Sequence, residues 1–348
     1  MKTVQGFLLI DVDVAALNNA GSDKSTNLEN AVATKKITKN GKQYPYVSGQ
    51  AWRYWWRDTL RNDFKWVMSP IIREKKIAYT EADPLKYPDD DIFGYMRAGK
   101  KIIKDPKTGK EKSENVTLTR ISPLKNSALI AVAYNPIVKN WSSMARQEGD
   151  AVPYGKDEYC AIMKGMFSID LNQVGTFSIQ QRTGFMNINQ TMKEVFLKNG
   201  AIEIEDPILK DLDGNPTKLV RLDDDLRKKR VKDSILALKT ISGGAKLTTN
   251  LVDVTPKLII LATFNSGNHP FSHLAKEEYG KTIFSIKALE QVYKDYSDKI
   301  EGKIFIGKRD GFMDELNDDL VKIKDNSFFY GSVNEAIDKY VNTIKLED

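Results

Sequence analysis

The stretch YPYVSGQAWRYWWRDTL, residues 44–60, decides the fold, because a polar turn leads into a two-faced helix. At about 100° of rotation per residue, arginines fall on one face and tryptophans on the opposite face: Arg53, Arg57, Arg61 and Trp52, Trp55, Trp56. One interpretation is a core helix with a buried Trp face and a solvated Arg face. The other is an aromatic-anchored helix that presents its arginines to a polyanion. Ser48 or Gly49 is placed to cap its N-terminus.

The composition of the 348 residues, 41% hydrophobic and 29% charged, is that of a soluble globular protein with one or two domains. No apolar run approaches 20 residues, so no membrane span is expected. The single cysteine, Cys160, excludes a disulfide framework and fits a reducing, cytoplasmic location. A net charge of +6 is compatible with a polyanionic partner without establishing one.

Local patterns around this helix predict the main elements. Residues 3–14 alternate as a first strand, and 34–44 predict a hairpin with an Asn-Gly turn. Residues 222–241 have helical spacing and stop at Gly243-Gly244, which is typical of a helix C-terminus. The apolar run 255–264 predicts a buried central strand.

The remaining segments are less regular. Residues 116–134 predict two strands with a break, 162–180 a hairpin, 65–79 a helix and 83–91 a loop. The lysine-rich stretch 100–112 is either a mobile basic loop or a protruding hairpin, and 181–220 is predicted to be an insertion. The resulting order is β-α-β-β-α-β with large insertions, which predicts an α+β fold on the ferredoxin-like or RNA-recognition-motif plan.

Catalytic signatures are absent from the sequence. There is no phosphate-binding GxxxxGKS/T loop, no GxGxxG after a strand, and no HExxH, GxSxG or CxxC. His269 and His273 fit a turn or helix cap, and consecutive aspartates such as 89–91 do not converge on one metal. We therefore expect a binding protein with no cofactor and no metal.

Six segments in the same order along the chain resemble the DevR-type backbone subunit of type I-B Cascade, a CRISPR surveillance complex. They are ALNNAGSD (16–23), YPYVSGQAWRYWWRDTL (44–60), DIFGYMRAG (91–99), RISPLKNSALI (120–130), GGAK (243–246) and VTPKLIILATF (254–264). The strings around SGQAWR and DIFGYMR are specific, whereas the last 80 or so residues match less distinctly.

The resemblance implies a single RNA-recognition-like domain, with a palm interrupted by helical finger and thumb insertions. The corresponding ranges are 1–60, 116–134, 162–180 and 222–264 for the palm, 61–115 and 135–160 for the fingers, 181–220 for a thumb-like insertion and 265–348 for a C-terminal extension.

The resemblance also implies a non-catalytic function in antiviral defence. Such subunits polymerise into a helical filament along a CRISPR RNA and present the guide in segments for pairing with a target DNA strand. Their partners are further copies, the subunit that caps the guide 5′ end, the large subunit, the guide-processing endonuclease and a recruited helicase-nuclease.

Candidate RNA contacts follow from the matched segments. Hydroxyl, amide and guanidinium donors would track phosphates, lysines would line the groove, and glycines would let backbone amides approach the RNA. We expect these roles at Ser48, Gln50, Arg53, Arg57, Lys35, Lys36, Gly243, Gly244 and Lys246, with Arg182 as a clamp and Phe185 or Met186 as a wedge. A simple helix C-cap is the alternative for the two glycines.

Two other functions stay open. One is a type III RNA-guided ribonuclease, which would use Asp23 in an early loop. The other is the transcriptional autoregulator that the name DevR suggests, although no helix-turn-helix pattern is evident.

Overall fold

The computed structural model describes residues 1–22, 31–74, 77–104, 111–115, 117–145, 148–180, 186–325 and 327–346. The elements of the first part are β1 (Thr3–Ala15), β2 (Asn19–Ser22), β3 (Val32–Thr34), β4 (Lys36–Lys39), β5 (Lys42–Val47), α1 (Gly49–Phe64), β6 (Ile72–Glu74), β7 (Ile77–Tyr79), α2 (Pro88–Phe93), β8 (Tyr95–Arg97), β9 (Lys100–Lys104), β10 (Glu111–Asn115), β11 (Leu118–Arg120), β12 (Leu124–Asn126), β13 (Leu129–Ala131) and β14 (Val138–Met144).

The elements of the second part are β15 (Val152–Asp170), β16 (Thr176–Ser178), α3 (Gln190–Lys198), β17 (Ile202–Lys210), β18 (Pro216–Arg221), α4 (Asp224–Leu236), α5 (Leu247–Asn250), β19 (Leu258–Phe264), β20 (Ala275–Glu278), β21 (Lys281–Phe284), α6 (Ile286–Asp295), β22 (Ile300–Lys308), α7 (Asn317–Ile323), β23 (Phe328–Gly331) and α8 (Val333–Val341). Together they confirm the predicted mixed α+β class.

One large sheet, in the order β23-β22-β19-β1-β15-β13-β5-β4, organises the chain. Its four central strands are β19, β1, β15 and β13, and each pairs with its neighbours antiparallel. The first strand and the buried run 258–264 were predicted from local pattern, and of β15 only the part from residue 162 onward was predicted as strand. The alternation along β1 sends Leu8 and Ile10 to one core and Phe7 and Leu9 to another, so both faces of the sheet are covered.

The tryptophan face of α1 lies against one side of this sheet, as predicted. The rings of Trp52 and Trp56 stack at a centroid distance of 5.5 Å, and Trp56 meets Phe167 of β15 edge-on at 5.2 Å. The indole N–H of Trp56 donates to the Ser234 carbonyl of α4 at 2.7 Å. The helix therefore joins α4 to the sheet through its aromatic face.

The opposite side of β1 and β19 is covered by residues from the C-terminal part of the chain. Phe271, Phe284, Leu289 and Leu320 are buried there against Phe7 and its neighbours. This sheet face is consequently a core and is not open to a ligand over those two strands.

The insertions contain more strand than the sequence predicted. Residues 65–79 were expected to be helical, but Lys65 takes a left-handed conformation (φ 58°) and ends α1, and a short β6–β7 hairpin follows. The segment 83–91 was expected to be a loop, but Pro88 starts the helix α2 there. Of the two alternatives for 100–112, the hairpin is observed, since β9 pairs with β10; its turn, 105–110, lies outside the described residues.

The predicted hairpin over 162–180 is wrong. Its first half continues β15, but β16 turns away and pairs with β18 in a three-stranded sheet, β16-β18-β17. This sheet and α3 enclose their own core around Phe177, Phe196 and Val220. The turn at Gly175 makes this departure, and its φ of 65° suits glycine.

Candidate nucleic-acid interface

The N-terminus of α1 is fixed by a serine cap. The Ser48 hydroxyl accepts a hydrogen bond from the Ala51 N–H at 3.3 Å, and the Ser48 N–H donates to the Asn18 side-chain oxygen at 2.9 Å. Gln50 follows in the first turn and is exposed. This helix end therefore offers backbone and side-chain donors at the surface, where the helix dipole favours an anion.

Lys35 and Lys36 lie beside this helix end. The Lys35 N–H donates to the Asn18 carbonyl at 2.8 Å, and its own carbonyl accepts from Tyr46 at 3.0 Å, just before the cap. The Lys36 ammonium is exposed and lies 3.9 Å from the buried Asp157 carboxylate, a distance that leaves it available to a second anion.

The glycine loop after α4 completes the surface. A Cβ on Gly243 would lie 2.1 Å from the Trp55 ring, and one on Gly244 (φ 117°) would lie 2.7 Å from Leu17. The Ala245 N–H donates to the Leu17 carbonyl at 3.0 Å. Because α4 ends at Leu236 and the 3₁₀ turn that follows it ends at Lys239, the expected C-cap at the glycines is wrong, and the glycines serve close packing against α1 and Leu17.

Segments far apart in the sequence thus meet around Leu17 and Asn18. Lys246 (φ 58°) extends the site towards β15, with its ammonium 5.8 Å from the Tyr154 ring. Burial lowers the pKa of Lys246, and the charge of Lys156 acts in the same direction. We call this set the α1 N-terminal surface; it comprises Lys35, Lys36, Ser48, Gln50, Gly243, Gly244 and Lys246.

Arg53 points away from that surface into the protein. Its two terminal nitrogens donate to the carbonyls of Leu124 (3.1 Å) and Phe93 (2.7 Å) and to the side chains of Asn126 (3.2 Å) and Ser122 (2.7 Å). Burial, followed by the charge of Arg57, lowers the pKa of Arg53 to about 10. The guanidinium therefore holds three of the matched sequence segments together.

We expect Arg53→Ala to lower the free energy of unfolding by about 2–3 kcal/mol, because several half-buried acceptors lose a charged donor. Arg57→Ala is the matched control: within the described parts of the chain Arg57 makes no hydrogen bond, and its replacement would remove its packing over Phe93 at 4.3 Å and its attraction to the Asp89 and Asp90 carboxylates. Urea unfolding measures both. If Arg53→Ala keeps full stability but loses RNA affinity, Arg53 acts on RNA directly.

Arg57 lines a cavity of about 370 Å³ between α1 and the β6–β7 hairpin. Tyr54, Met68, Tyr79 and Asp89 contribute to its walls. Burial raises the pKa of the Asp89 carboxyl to about 6, although a hydrogen bond from the Ser69 N–H (2.9 Å) opposes the shift.

This raised pKa predicts a pH dependence of stability. The stabilising contribution of a protonated Asp89 is present below the ordinary value of 3.8 and is lost as the pH rises through about 6. Asp89→Asn keeps an acceptor for Ser69 and removes the charge. We expect it to raise the free energy of unfolding at neutral pH by about 1–2 kcal/mol and to flatten the pH profile across this window. Thermal unfolding at a series of pH values tests this, and an unchanged profile would contradict it.

A buried ionic network centred on Asp91 was not predicted. The carboxylate contacts the Arg120 guanidinium, accepts from Arg230 at 2.6 Å and accepts the Gly175 N–H at 3.1 Å. All three charged side chains are at most 3% exposed. Asp91 and Arg120 begin two of the matched strings, so their pairing explains why both occur together.

Part of the basic run 227–232 is also internal. Arg227 is buried, donating to the carbonyls of Val174 (2.8 Å) and Leu171 (3.0 Å). Arg227 thereby fastens α4 to the turn between β15 and β16, and Arg230 fastens it to Asp91 of α2 and the Leu85 carbonyl. These two arginines therefore stabilise the fold instead of forming a solvated basic face.

The other predicted site residues are not brought to the α1 N-terminal surface. Met186 packs against Ala82, Tyr95 and Leu118 and is only 9% exposed, so the wedge expected there is wrong because the side chain is internal. Three further predicted residues lie outside the described residues: Asp23, Arg182 and Phe185.

Within the described ranges, no three His, Cys, Asp or Glu side chains are grouped to hold a metal ion. His269 lies under the sheet with its Nε2 atom 3.1 Å from the carbonyls of both Gly6 and Phe167. No helix in this part of the protein is both long and apolar enough to cross a membrane.

The fold is that of subunits in CRISPR surveillance assemblies. A chain of a structure described as "CRISPR RNA-guided surveillance complex" aligns with a TM-score of 0.53 and 10% identity, covering 98% of each chain. A chain of a second, described as "CRISPR RNA-guided surveillance complex, pre-nicking", aligns with a TM-score of 0.55 and 10% identity, covering 98% of this chain and 99% of the other. At this identity the likeness is one of fold.

The protein belongs to the CRISPR-associated DevR/Csa2 family. The profile described as "CRISPR-associated negative auto-regulator DevR/Csa2" matches residues 8–283, well over half of the chain. The comparison with curated proteins gives no match. The sequence resemblance at the family level is thereby confirmed.

Proposed function

We propose that this protein is a non-catalytic backbone subunit of a type I-B CRISPR surveillance complex that binds the guide RNA along its phosphates. The observation that carries the proposal is the meeting of three segments, around Leu17, Ser48 and Ala245, at the exposed N-terminus of α1. Donors that point outward from such a surface suit phosphate oxygens and carry no sequence preference.

The central strands support an RNA-recognition-like palm. Their order, β19-β1-β15-β13, with α1 and α4 on one face, is the order of the ferredoxin-like plan. Because residues from the C-terminal part cover the other face over β1 and β19, we place the guide at the α1 N-terminal surface instead of on the sheet. Arg53 positions this surface, and Arg57 and Arg182 are further candidate phosphate contacts.

Assembly with other copies is the second part of the proposal. The β17–β18 hairpin exposes Ile208 (84%) and Leu212 (105%), as an arm that contacts a neighbour would. In the proposed filament this hairpin is the thumb, the guide bases face outward for pairing with target DNA, and the cap, large and processing subunits join the same complex. Target cleavage is left to the recruited helicase-nuclease, in the cytoplasm.

Co-purification tests this function. Expressed with its neighbouring genes and a CRISPR array, the protein should carry a discrete small RNA and elute as an oligomer whose size falls after ribonuclease treatment. Recovery as an RNA-free monomer would contradict the proposal. With magnesium and complementary target RNA, we expect no periodic cuts; cuts abolished by Asp23→Ala would instead identify the ribonuclease alternative.

A second candidate function rests on the family's description as a negative auto-regulator. It requires binding to duplex DNA without RNA, which a gel-shift assay with the protein's own promoter region measures. Binding to that duplex in preference to a shuffled one would favour regulation over the scaffold function.

A further inference from the structure

Asn18 lies where the segments of the α1 N-terminal surface meet, although it is not one of the seven residues that define that surface. Its side-chain oxygen accepts the Ser48 N–H at 2.9 Å. Its backbone carbonyl accepts the Lys35 N–H at 2.8 Å and the Thr34 hydroxyl at 3.3 Å. The residue is half-buried. Asn18 is therefore held by both its backbone and its side chain beside the first turn of α1.

The bond to Ser48 also fixes the direction in which the side-chain amide of Asn18 faces. A backbone N–H can only donate, so the Asn18 atom that faces it must be the oxygen, and the NH₂ group lies on the other side. Among the described residues this NH₂ group has no hydrogen-bond acceptor. A half-buried donor of this kind is stabilised when an acceptor reaches it from outside the chain.

The first turn of α1 has further donors next to this amide. The Ala51 N–H donates to the Ser48 hydroxyl at 3.3 Å, and the Trp52 N–H donates to the Ser48 carbonyl at 3.1 Å. The N–H groups of Gly49 and Gln50 precede the first intrahelical hydrogen bond, and the described part of the chain supplies no acceptor for them. The first turn contains no acidic residue, so no side chain of α1 neutralises the positive end of the helix dipole.

The amide at position 18 distinguishes a binding role from a purely structural one. Aspartate has nearly the same shape, its carboxylate would accept the Ser48 N–H, and its charge would interact favourably with the helix dipole. The buried Asp157 carboxylate, which accepts the Thr34 N–H at 3.1 Å, would oppose this, but the Lys36 ammonium lies 3.9 Å from it. Stability alone would therefore be served at least as well by aspartate, whereas a bound phosphate requires a donor without negative charge.

We propose that the Asn18 side-chain amide donates to a phosphate oxygen of the guide RNA, and that the Gly49 and Gln50 N–H groups donate to the same phosphate. This inference rests on the proposed function and assigns one phosphate a fixed place on the α1 N-terminal surface. The lysines of that surface attract a polyanion without fixing its position, because an ammonium group on a flexible stem acts as a point charge. An amide whose oxygen is already bonded accepts a phosphate in one place.

The test compares Asn18→Asp with the parent in the full chain, with a fluorescein-labelled oligouridine as the probe. Fluorescence anisotropy should show an affinity about 10- to 100-fold lower, since a donor to a charged oxygen is replaced by an anion. The melting temperature should equal or exceed that of the parent, because the carboxylate keeps the bond to Ser48 and complements the helix dipole. A residue that only holds the segments together would not lose affinity while keeping stability.

Two matched variants carry the same change of amide to carboxylate. Asn334→Asp is exposed in the first turn of α8 and should keep the parent affinity, although it also adds a charge at a helix N-terminus. Asn19→Asp adds the charge one residue away at an exposed position. At about 0.15 M salt, where exposed charges are screened beyond about 8 Å, it should lower the affinity by less than about 3-fold.

Three results would overturn the inference while RNA binding itself remains. They are an unchanged affinity in Asn18→Asp, a loss in either matched variant equal to that in Asn18→Asp, and a melting temperature of Asn18→Asp several degrees below that of the parent. If the parent protein does not bind the oligouridine, the proposed function fails as well.

Discussion

Asp91→Ala is expected to lower the free energy of unfolding by about 3–5 kcal/mol, because it leaves two buried guanidinium groups without their anion. In the folded protein the Asp91 carboxylate contacts Arg120 and Arg230, and neither arginine reaches solvent. The Gly175 N–H, 3.1 Å away, loses its acceptor as well. Urea unfolding followed by circular dichroism measures the change.

Asp319→Ala is the control for this prediction. Asp319 pairs with Lys322 at 2.9 Å on the surface, where both side chains are at least 60% exposed, and its loss should change stability by less than about 1 kcal/mol. Equal effects of the two substitutions would show that the Asp91 network adds nothing beyond a surface pair. Asp91→Asn keeps some acceptor capacity, so we expect its loss of stability to lie between those of Asp91→Ala and Asp319→Ala.

Replacing Lys35, Lys36 and Lys246 together by alanine is expected to reduce affinity for single-stranded RNA by about 10- to 100-fold at low salt. Each phosphate contact contributes about 0.7 to the slope of log affinity against log salt, so the slope should become shallower by about 2. Fluorescence anisotropy over a salt series measures both. Of the three side chains, Lys36 is exposed beside Asp157, and Lys35 and Lys246 are half-buried.

A charge-matched control separates this site from the general effect of a lower net charge. Three exposed lysines on the C-terminal helices can be replaced by alanine: Lys287, Lys294 and Lys322. That variant should keep the parent slope. If both triple variants lose affinity equally, RNA binding is not localised at the α1 N-terminal surface.

Features encoded by neighbouring residues could be predicted from the sequence. The Trp face of α1, the alternation of β1 and the apolar run of β19 depend on local periodicity, and all are observed. The hairpin turn at Asn40-Gly41 has positive φ at both residues, 49° and 74°, which Asn-Gly favours.

Features that depend on distant partners could not be predicted. The sequence PDDD at 88–91 is as polar as a loop, and it forms a helix whose aspartates are buried because Ser69, Arg120 and Arg230 supply donors to them. From the sequence, Arg53 fits a phosphate-binding role as well as a structural one. Only its four acceptors, which come from distant residues, show the structural role.

The Asp91 network also has a mechanical consequence. It joins α2, α4 and the turn at Gly175 from which the β16-β18-β17 sheet departs. The orientation of that sheet relative to the large sheet is therefore fixed by buried ion pairs and a hydrogen bond before any partner binds. In the proposed filament, the fixed orientation of this sheet would set the spacing between successive copies. The number of nucleotides per copy would then be determined by the protein, and a guide of any sequence would be divided at the same interval.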